Sequence, residues 1–415
     1  MFKVIVVSVC ALAAWPVAAQ AQAPASPEKP QHTEHTQMGA SPGRWFVMQD
    51  GVIQGLFNRQ GGPRGGREFV VPNWWMGMFM HEKGDRQFIV STMFSLDAAT
   101  VGREGYREIF QSGEVLDGKP LVDRQHPHDF FMQLAASWRA KINDRTSVVI
   151  AGGPSGEPTL GPTAFMHRPS AAGLPSAPLG HHTFDSTHIS FGVVTGALER
   201  DRWTFEGSVF NGREPDDRRW DFDFGRMDSI AGRVWFRPTR EWDLQVSTSK
   251  LRDPEALAPG DVIRTTASVS WFRPHEENFA AFTAAYGVNA EHGERRHGVF
   301  AEASVERGAH AVFGRLEVQQ VEAALFQTGT IGGDAIDADA PTVAALTFGA
   351  TRRLFRGRGF DAAVGADVTT YRVPAALRAS HGDHPLSFQV FLRLRLPTGP
   401  MGRMWNMRMS RGHGM

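Results

Sequence analysis

The segment GHHTFDSTHIS, residues 180–190, places three histidines and one aspartate within eight residues. A second segment, RQHPHDFF at 124–131, adds two histidines and an aspartate, and one more histidine lies between the two segments. Imidazole nitrogen and carboxylate oxygen suit Zn²⁺, Cu²⁺ or Ni²⁺. The candidate metal ligands are His126, His128, Asp129, His167, His181, His182, Asp185 and His188.

Two other interpretations of these residues stay open. Neutral histidine both donates and accepts hydrogen bonds, so the histidines can be purely structural parts of folded loops. Ser186 between Asp185 and His188 also suggests a hydrolase, but adjacent residues on a strand point to opposite faces, which disfavours a triad. The sequence has no G-x-S-x-G, P-loop or H-E-x-x-H motif. We therefore predict that the chain is not an enzyme.

Both ends of the chain combine methionine with histidine. The segment HTEHTQM at 32–38 has two histidines and a methionine, and five methionines lie between 401 and 415. Thioether and imidazole together favour Cu(I), so copper is the favoured metal and zinc the alternative. A flexible end whose methionines bind nothing is the competing interpretation. The candidate ligands of the C-terminal tail are Met401, Met404, Met407, Met409 and His413.

The composition and the N-terminus indicate an exported protein that does not bind nucleic acid. The formal net charge is zero, whereas nucleic-acid binders normally carry a basic stripe. Residues 1–23 have a lysine, an apolar run and small residues at A-x-A spacing, which predicts a cleaved signal peptide containing the single cysteine, Cys10. No later stretch has 18 consecutive apolar residues, so we predict no membrane helix. A transmembrane β-barrel remains, because only every second residue of its strands faces lipid.

From residue 44 onward the chain alternates between apolar and polar residues. In SFQVFLRLRL, 387–396, one face carries Phe388, Val390 and Leu392 and the other carries Gln389 and Arg393. Period two with one apolar face predicts strands. Most are long enough to cross a bilayer at a tilt. The predicted strands are 45–57, 69–81, 86–97, 129–141, 145–152, 188–198, 202–211, 227–237, 241–251, 261–272, 278–288, 296–306, 309–320, 342–354, 359–371 and 385–396.

The connections alternate in length. Those after even-numbered strands are short, and those after odd-numbered strands are mostly long, with the longest at 98–128 and 153–187. This alternation of short and long connections is typical of outer-membrane barrels, whose periplasmic turns are short and whose extracellular loops are long. Five tryptophans near the short turns predict an interfacial girdle. They are Trp138, Trp203, Trp235, Trp242 and Trp271.

In this pattern the chain resembles Gram-negative outer-membrane β-barrels of porin type over residues 44–396. The resemblance implies an all-β, transmembrane, antiparallel up-and-down barrel of about 16 strands, with 14 as the alternative, and both termini in the periplasm. Such barrels commonly end on a strand with a terminal aromatic residue, whereas here a tail follows Leu396. The predicted segments are a signal peptide (1–23), a His/Pro-rich linker (24–43), the barrel (44–396) and a Met/His-rich tail (397–415).

The predicted function is an outer-membrane, porin-like channel that handles a transition metal, with copper favoured, through the loop His/Asp residues and the Met/His-rich termini. Its expected partners are membrane lipid and a small solute or metal ion. The inward positions of the strands carry charges of both signs, as a hydrated lumen would, unless loops fill it. The Gly- and Pro-rich loop at 152–180 is predicted to fold into the lumen. The alternatives are a general or organic-solute porin with structural histidines and, second, an outer-membrane hydrolase. The inward charges are Arg139, Glu206, Arg233, Asp243, Arg264, Glu302, Arg315, Glu317, Asp367, Arg393 and Arg395.

Overall fold

The computed structural model describes residues 43–184, 189–275, 278–291, 293–329, 340–357 and 359–397. The predicted signal peptide, the methionine-rich segment 401–415, Asp185, Ser186 and His188 lie outside these residues. So do His32, His35 and Met38 near the N-terminus.

The described chain is built almost entirely from β-strands, as predicted. No helix among the described residues is long and apolar enough to cross a membrane. The strands are β1 (Arg44–Gln60), β2 (Gly66–Val70), β3 (Asn73–Lys83), β4 (Arg86–Phe94), β5 (Tyr106–Leu116), β6 (Lys119–Gln125), β7 (Phe131–Asn143), β8 (Thr146–Ser155), β9 (Val193–Arg200), β10 (Trp203–Phe210), β11 (Ser229–Phe236), β12 (Trp242–Leu251), β13 (Val262–His275), β14 (Asn278–Glu291), β15 (Glu294–Arg307), β16 (His310–Gln320), β17 (Thr342–Arg356), β18 (Asp361–Arg372) and β19 (Leu386–Arg395). The α-helices are α1 (Asp97–Thr100), α2 (His181–Phe184), α3 (Ala323–Thr328) and α4 (Arg378–His381).

Sixteen strand positions close into one antiparallel barrel, and the prediction of a 16-strand barrel is confirmed. The barrel closes because β19 pairs with β1, with Val52 opposite Arg395 and Arg59 opposite Phe388. β19 corresponds to the predicted strand at 385–396. Closure leaves no free sheet edge, which a membrane-spanning sheet requires.

The second barrel position is shared by two strands, β2 and β3. β2 pairs with the end of β1, with Phe57 opposite Phe69, and β3 pairs with its beginning, with Arg44 opposite Glu82. The sequence predicts one continuous strand here, at 69–81. Pro72 lies at the break, where it has no amide hydrogen to donate to the ladder.

The two faces of the wall differ as the alternation predicts. Large apolar side chains such as Leu316 and Phe348 are exposed on the outer face, at 50% and 66%. Trp138, Trp203 and Trp242 are also exposed beside the short turns. The prediction that Trp235 belongs to the interfacial girdle is wrong. It is buried on the inner face with Arg233, and its Nε1 donates to Glu206 at 3.0 Å.

Short turns lie at one end of the barrel and most long connections at the other. Gly84–Asp85 and Gly308–Ala309 join strand pairs at the short-turn end, where β1 also begins and β19 ends. One predicted long loop, 289–295, is wrong in length, since β14 runs to Glu291 and β15 begins at Glu294. Its polar residues continue the two strands beyond the apolar belt.

A separate hairpin and a long inserted loop lie on the inner side. β5 and β6 form a two-stranded sheet within the connection between β4 and β7. Ile109 and Phe110 of β5 pack with Phe326 of α3 and Leu377 beside α4 in one buried cluster. Residues 156–184 between β8 and β9 form the inserted loop, hereafter the plug.

Candidate functional site: a histidine cluster on a lumenal plug

The plug crosses the barrel interior and contacts strands on opposite sides. At its start, the Thr159 amide donates to Ser208 Oγ of β10 at 3.0 Å. At its centre, Ser170 Oγ donates to Glu302 of β15 at 2.9 Å. Gln389 of β19 donates to Ser176 Oγ at 3.0 Å. The predicted constriction loop at 152–180 therefore lies within the lumen, where the wall supplies partners for its irregular backbone.

A buried ionic network fixes the centre of the plug. Arg168 Nε lies 2.7 Å from Glu302 Oε1, and the two side chains are 2% and 0% exposed. Arg315 of β16 lies 3.0 Å from the other oxygen of Glu302 and donates to the carbonyl of Ser176 at 3.1 Å. Glu302 thus pairs with one arginine of the plug and one of the wall. A buried pair of this kind is costly to break, because the remaining charge has no water around it.

The plug and the hairpin bury the inner face of the wall. The inward charges Arg264, Glu302, Glu317 and Asp367 are each at most 5% exposed. One cavity beneath the plug, lined by Trp74, Met166 and Arg395, has a volume of about 60 Å³. Another between the plug and β16–β18 has about 20 Å³, room for about one water molecule. The inward positions are therefore polar, as predicted, but packed against protein.

Three histidines meet where the end of the plug approaches the hairpin. His181 and His182 are in α2, and His126 follows β6. One ring nitrogen of each lies within 4.8 Å of the corresponding nitrogens of the other two. His126 and His181 are 3% and 4% exposed, and the His182 side chain is 16% exposed. Two segments separated by more than fifty residues thus converge on one point, hereafter the histidine cluster.

The Nδ1 atoms of the histidine cluster face oxygen atoms. His126 Nδ1 lies 3.1 Å from Glu114 Oε1, and His182 Nδ1 lies 2.8 Å from Glu214 Oε1. His181 Nδ1 lies 3.2 Å from the carbonyl oxygen of Pro178. A neutral ring with Nδ1 protonated carries its lone pair on Nε2. Carboxylate and carbonyl partners of this kind orient the histidine ligands of many metal sites.

The cluster lies in an acidic environment. Burial lowers the pKa of His182, but the charge and hydrogen bond of Glu214 outweigh burial and leave that pKa raised. The reverse holds for Glu214, whose pKa is lowered because His182 outweighs its burial. Burial raises the pKa of Glu114 to about 7, against the opposing charge of Arg219. These acidic side chains favour a cation at the cluster.

His128 and Asp129 lie beside the cluster but contact other groups. His128 Nδ1 is 2.6 Å from Asp97 Oδ2, at the start of α1. Asp129 lies 3.2 Å from Arg219, which also binds Glu114. Arg219 therefore links Glu114 of the hairpin to Asp129, the last residue of the HPHD segment. The structure therefore places both predicted ligands next to the histidine cluster but not among its three members.

His167 is separate from the cluster. It lies at the middle of the plug, 2% exposed, with its ring centroid 5.4 Å from that of Trp74 on β3. Burial lowers the pKa of His167 to about 4. The ring is therefore neutral near pH 7 and packs among apolar side chains.

The charged residues around the histidine cluster were not predicted from the sequence. Glu214 and Arg219 belong to the loop 211–228, which is rich in acidic and basic residues. The motif REPDDRR was a usable signal, since a dense charge run in a long loop at the same end of the barrel can reach the histidines. Glu114 carried no such signal, because its position depends on how the hairpin folds back over the lumen.

Comparisons with known proteins support the fold. No family model and no curated protein matches the sequence. Among solved structures, OprB of Pseudomonas putida superposes with a TM-score of 0.50 at 10% identity, covering 85% of this chain and 94% of OprB. OmpT, an outer membrane protein of Vibrio cholerae, gives 0.49 at 7% identity, covering 85% of this chain and 97% of OmpT. Salmonella typhi OmpF gives 0.46 at 10% identity, with 84% and 97% covered. The chain has the fold of outer-membrane β-barrels of porin type.

Proposed function

We propose that the protein is an outer-membrane transport barrel that binds a transition-metal ion between its plug and its hairpin, at His126, His181 and His182, with copper favoured and zinc the alternative. Location in the outer membrane is supported by the closed barrel, its apolar outer face and its likeness to porin-type structures. The predicted periplasmic position of both termini follows if the short turns face the periplasm, as in such barrels.

One observation carries the metal proposal: three imidazole nitrogens from two loops lie within 4.8 Å of one another. Three protein nitrogens leave a fourth position for water or cargo, as in open Zn²⁺ sites, and Cu²⁺ binds such ligands more tightly than Zn²⁺. The position of the cluster on the long-loop side of the plug suits an ion arriving from outside. Because α2 is the end of the plug, a bound ion would tie the plug to the hairpin.

The test is a metal titration of the refolded full chain in detergent. We expect Cu²⁺ and Zn²⁺ to bind, and the triple substitution H126A/H181A/H182A to weaken binding at least 100-fold without unfolding the barrel. The matched control H275A/H310A removes two histidines at the short-turn end of the barrel, and it should leave the affinity within about threefold. Equal affinity in the triple variant and the wild type would refute the metal proposal.

A general or organic-solute porin with structural histidines is the alternative proposal. It predicts no specific metal affinity and unaltered solute passage in the triple variant. The hydrolase alternative depends on Ser186, and it predicts that Ser186→Ala alone abolishes turnover of an ester or lipid substrate. The convergence of three imidazoles with two carboxylates behind them favours the metal proposal over both alternatives.

A further inference from the structure

One sector of the inner wall is rich in methionine. The sector is formed by β1, β3, β4 and β7, which are neighbours in the barrel. Six of the eight methionines in the described residues belong to a single apolar cluster, three of them buried and three partly buried. They are Met48, Met76, Met78, Met93, Met132 and Met166. In β12, across the lumen, the inward positions are Asp243, Gln245, Ser247 and Ser249.

The strand register brings these methionines into direct pairs. Met48 of β1 is opposite Met78 of β3, and Met76 of β3 is opposite Met93 of β4. Residues directly opposite on neighbouring strands have Cβ atoms about 4.5–5.5 Å apart. Met76 and Met78 also share one face of β3, since they are two residues apart. Four methionine side chains are therefore attached to one small patch of the wall.

The plug covers this patch with two more groups. Met166 packs against the methionine cluster, and the ring of the adjacent His167 lies against Trp74, a member of that cluster. His167 is 2% exposed, and its ring has no hydrogen-bond partner within the described ranges. An unpaired imidazole is costly to bury among apolar side chains. Met166 and Trp74 also line the cavity of about 60 Å³ beneath the plug.

We propose that this methionine sector, with His167 above it, binds a soft monovalent metal ion of the Cu(I) class. Thioether and imidazole ligands are soft and uncharged, so they suit an ion with one charge and not a hard divalent ion. Asp50, opposite Met76 in the register, is paired with Arg395 at 3.0 Å, so the patch has little negative charge to offset a second positive charge. Ordinary core packing is the competing explanation for methionine, which fills irregular gaps.

This inference extends the proposed metal-handling function to a second site, with different residues and a different ion. Cu²⁺ or Zn²⁺ would bind at the histidine cluster on the long-loop side, and the soft ion would bind between the plug and the wall. The two sites share no ligand. Their failures can therefore be separated experimentally.

Ag(I), which does not change oxidation state under these conditions, is the probe. The full chain in detergent is titrated with Ag(I), and then the double variant M76L/M93L, whose side chains conserve volume and apolarity. We expect the double variant to fold as the wild type and to lose at least tenfold in Ag(I) affinity. Met80→Leu is the matched control: Met80 is a buried β3 residue on the same face but outside the cluster, and it should change nothing.

Two further experiments separate this site from the C-terminal tail and from the histidine cluster. Replacing the methionines of 401–415 by leucine removes the tail as a source of Ag(I) binding, and the loss caused by M76L/M93L should persist in that background. The Zn²⁺ affinity of M76L/M93L should equal that of the wild type. Unchanged Ag(I) affinity in M76L/M93L, or Ag(I) binding that disappears with the tail methionines alone, overturns the proposal. Absence of Zn²⁺ binding would refute the histidine site alone.

Discussion

Arg168 of the plug and Glu302 of β15 form an ion pair of 2.7 Å whose two side chains are at most 2% exposed. The same carboxylate also binds Arg315, so one acid serves an arginine on each side of the boundary between plug and wall. The guanidinium of Arg168 also lies 4.7 Å from the ring centroid of Phe300. Glu302 thus joins the centre of the plug to the wall of the barrel.

Glu302→Gln should loosen the plug and raise the conductance of the barrel. The substitution leaves Arg168 and Arg315 buried without their shared counter-charge, a loss of about 3–5 kcal/mol for a buried pair. Single-channel recording in a planar bilayer is the measurement, with small conductance expected for the wild type and frequent larger openings for the variant. Asp201→Asn breaks an exposed pair with Arg145 and is the control. A variant as closed as the wild type would show that the plug is held by other contacts.

Leu316→Arg should destabilise the folded barrel by about 2–4 kcal/mol, because Leu316 is half exposed on the outer face near the middle of β16, where a charge would meet hydrocarbon. Leu354→Arg is the matched comparison. Leu354 is also exposed but lies near the short-turn end of β17, where the cost should be about 0–1 kcal/mol. Denaturant unfolding in lipid vesicles measures both. Equal costs at the two depths would argue against this placement of the membrane.

Asp129→Asn should remove part of the pH dependence of stability. Burial raises the pKa of Asp129 from 3.8 to about 6, although Arg219 opposes the shift. Between these values the folded protein keeps a proton that the unfolded chain has lost. The buried Asp129 carboxyl therefore lowers the free energy of unfolding as the pH rises from about 4 through about 6. The total loss is at most about 3 kcal/mol.

The measurement is the difference in unfolding free energy between the wild type and Asp129→Asn at several pH values. The free energy of unfolding of the variant should rise relative to that of the wild type between pH 4 and pH 7. Asp217→Asn is the control: Asp217 lies on the loop 211–228 with Arg219, but it pairs with Arg103 at the surface. A difference independent of pH would mean that Asp129 ionises at its ordinary pKa.

Glu214→Gln should weaken metal binding about 10–100-fold, the usual loss when a carboxylate that orients a histidine ligand is removed. Glu214 lies 2.8 Å from His182 Nδ1, and its side chain is 9% exposed. Isothermal titration with Zn²⁺ measures the change, with Asp217→Asn again as the control. Unaltered affinity would indicate that His182 is not a ligand.

Much of the fold could be predicted from alternation and connection length. All sixteen barrel positions were predicted, since the strands have an apolar outer face and an inner face that is more polar on most of them. The error at Trp235 shows the limit of proximity to a turn as a criterion. Trp235 has the same parity as Arg233, so the alternation itself assigns it to the lumen.

The candidate site could be predicted only in part. The HPHD and DSTH segments were expected to lie close together at the barrel mouth, but Asp185, Ser186 and His188 lie outside the described residues. The histidines that lie beside His126 are His181 and His182, a few residues earlier in the chain. Glu114 and Glu214 were missed because their approach depends on loop folding, which has no short-range periodicity. The methionine sector did leave a signal: Met76, Met78 and Met80 alternate in WWMGMFM, with period two on the inward face of a strand.

X-ray absorption spectroscopy of the Cu²⁺-loaded full chain can detect a metal bound to the three histidines, with H126A/H181A/H182A as the matched reference. We expect imidazole scattering from three nitrogen ligands at about 2.0 Å in the wild type. This contribution should disappear in the triple variant while the barrel remains folded. A shell made of oxygen alone, or the same imidazole signal in both proteins, would contradict a metal site on the plug.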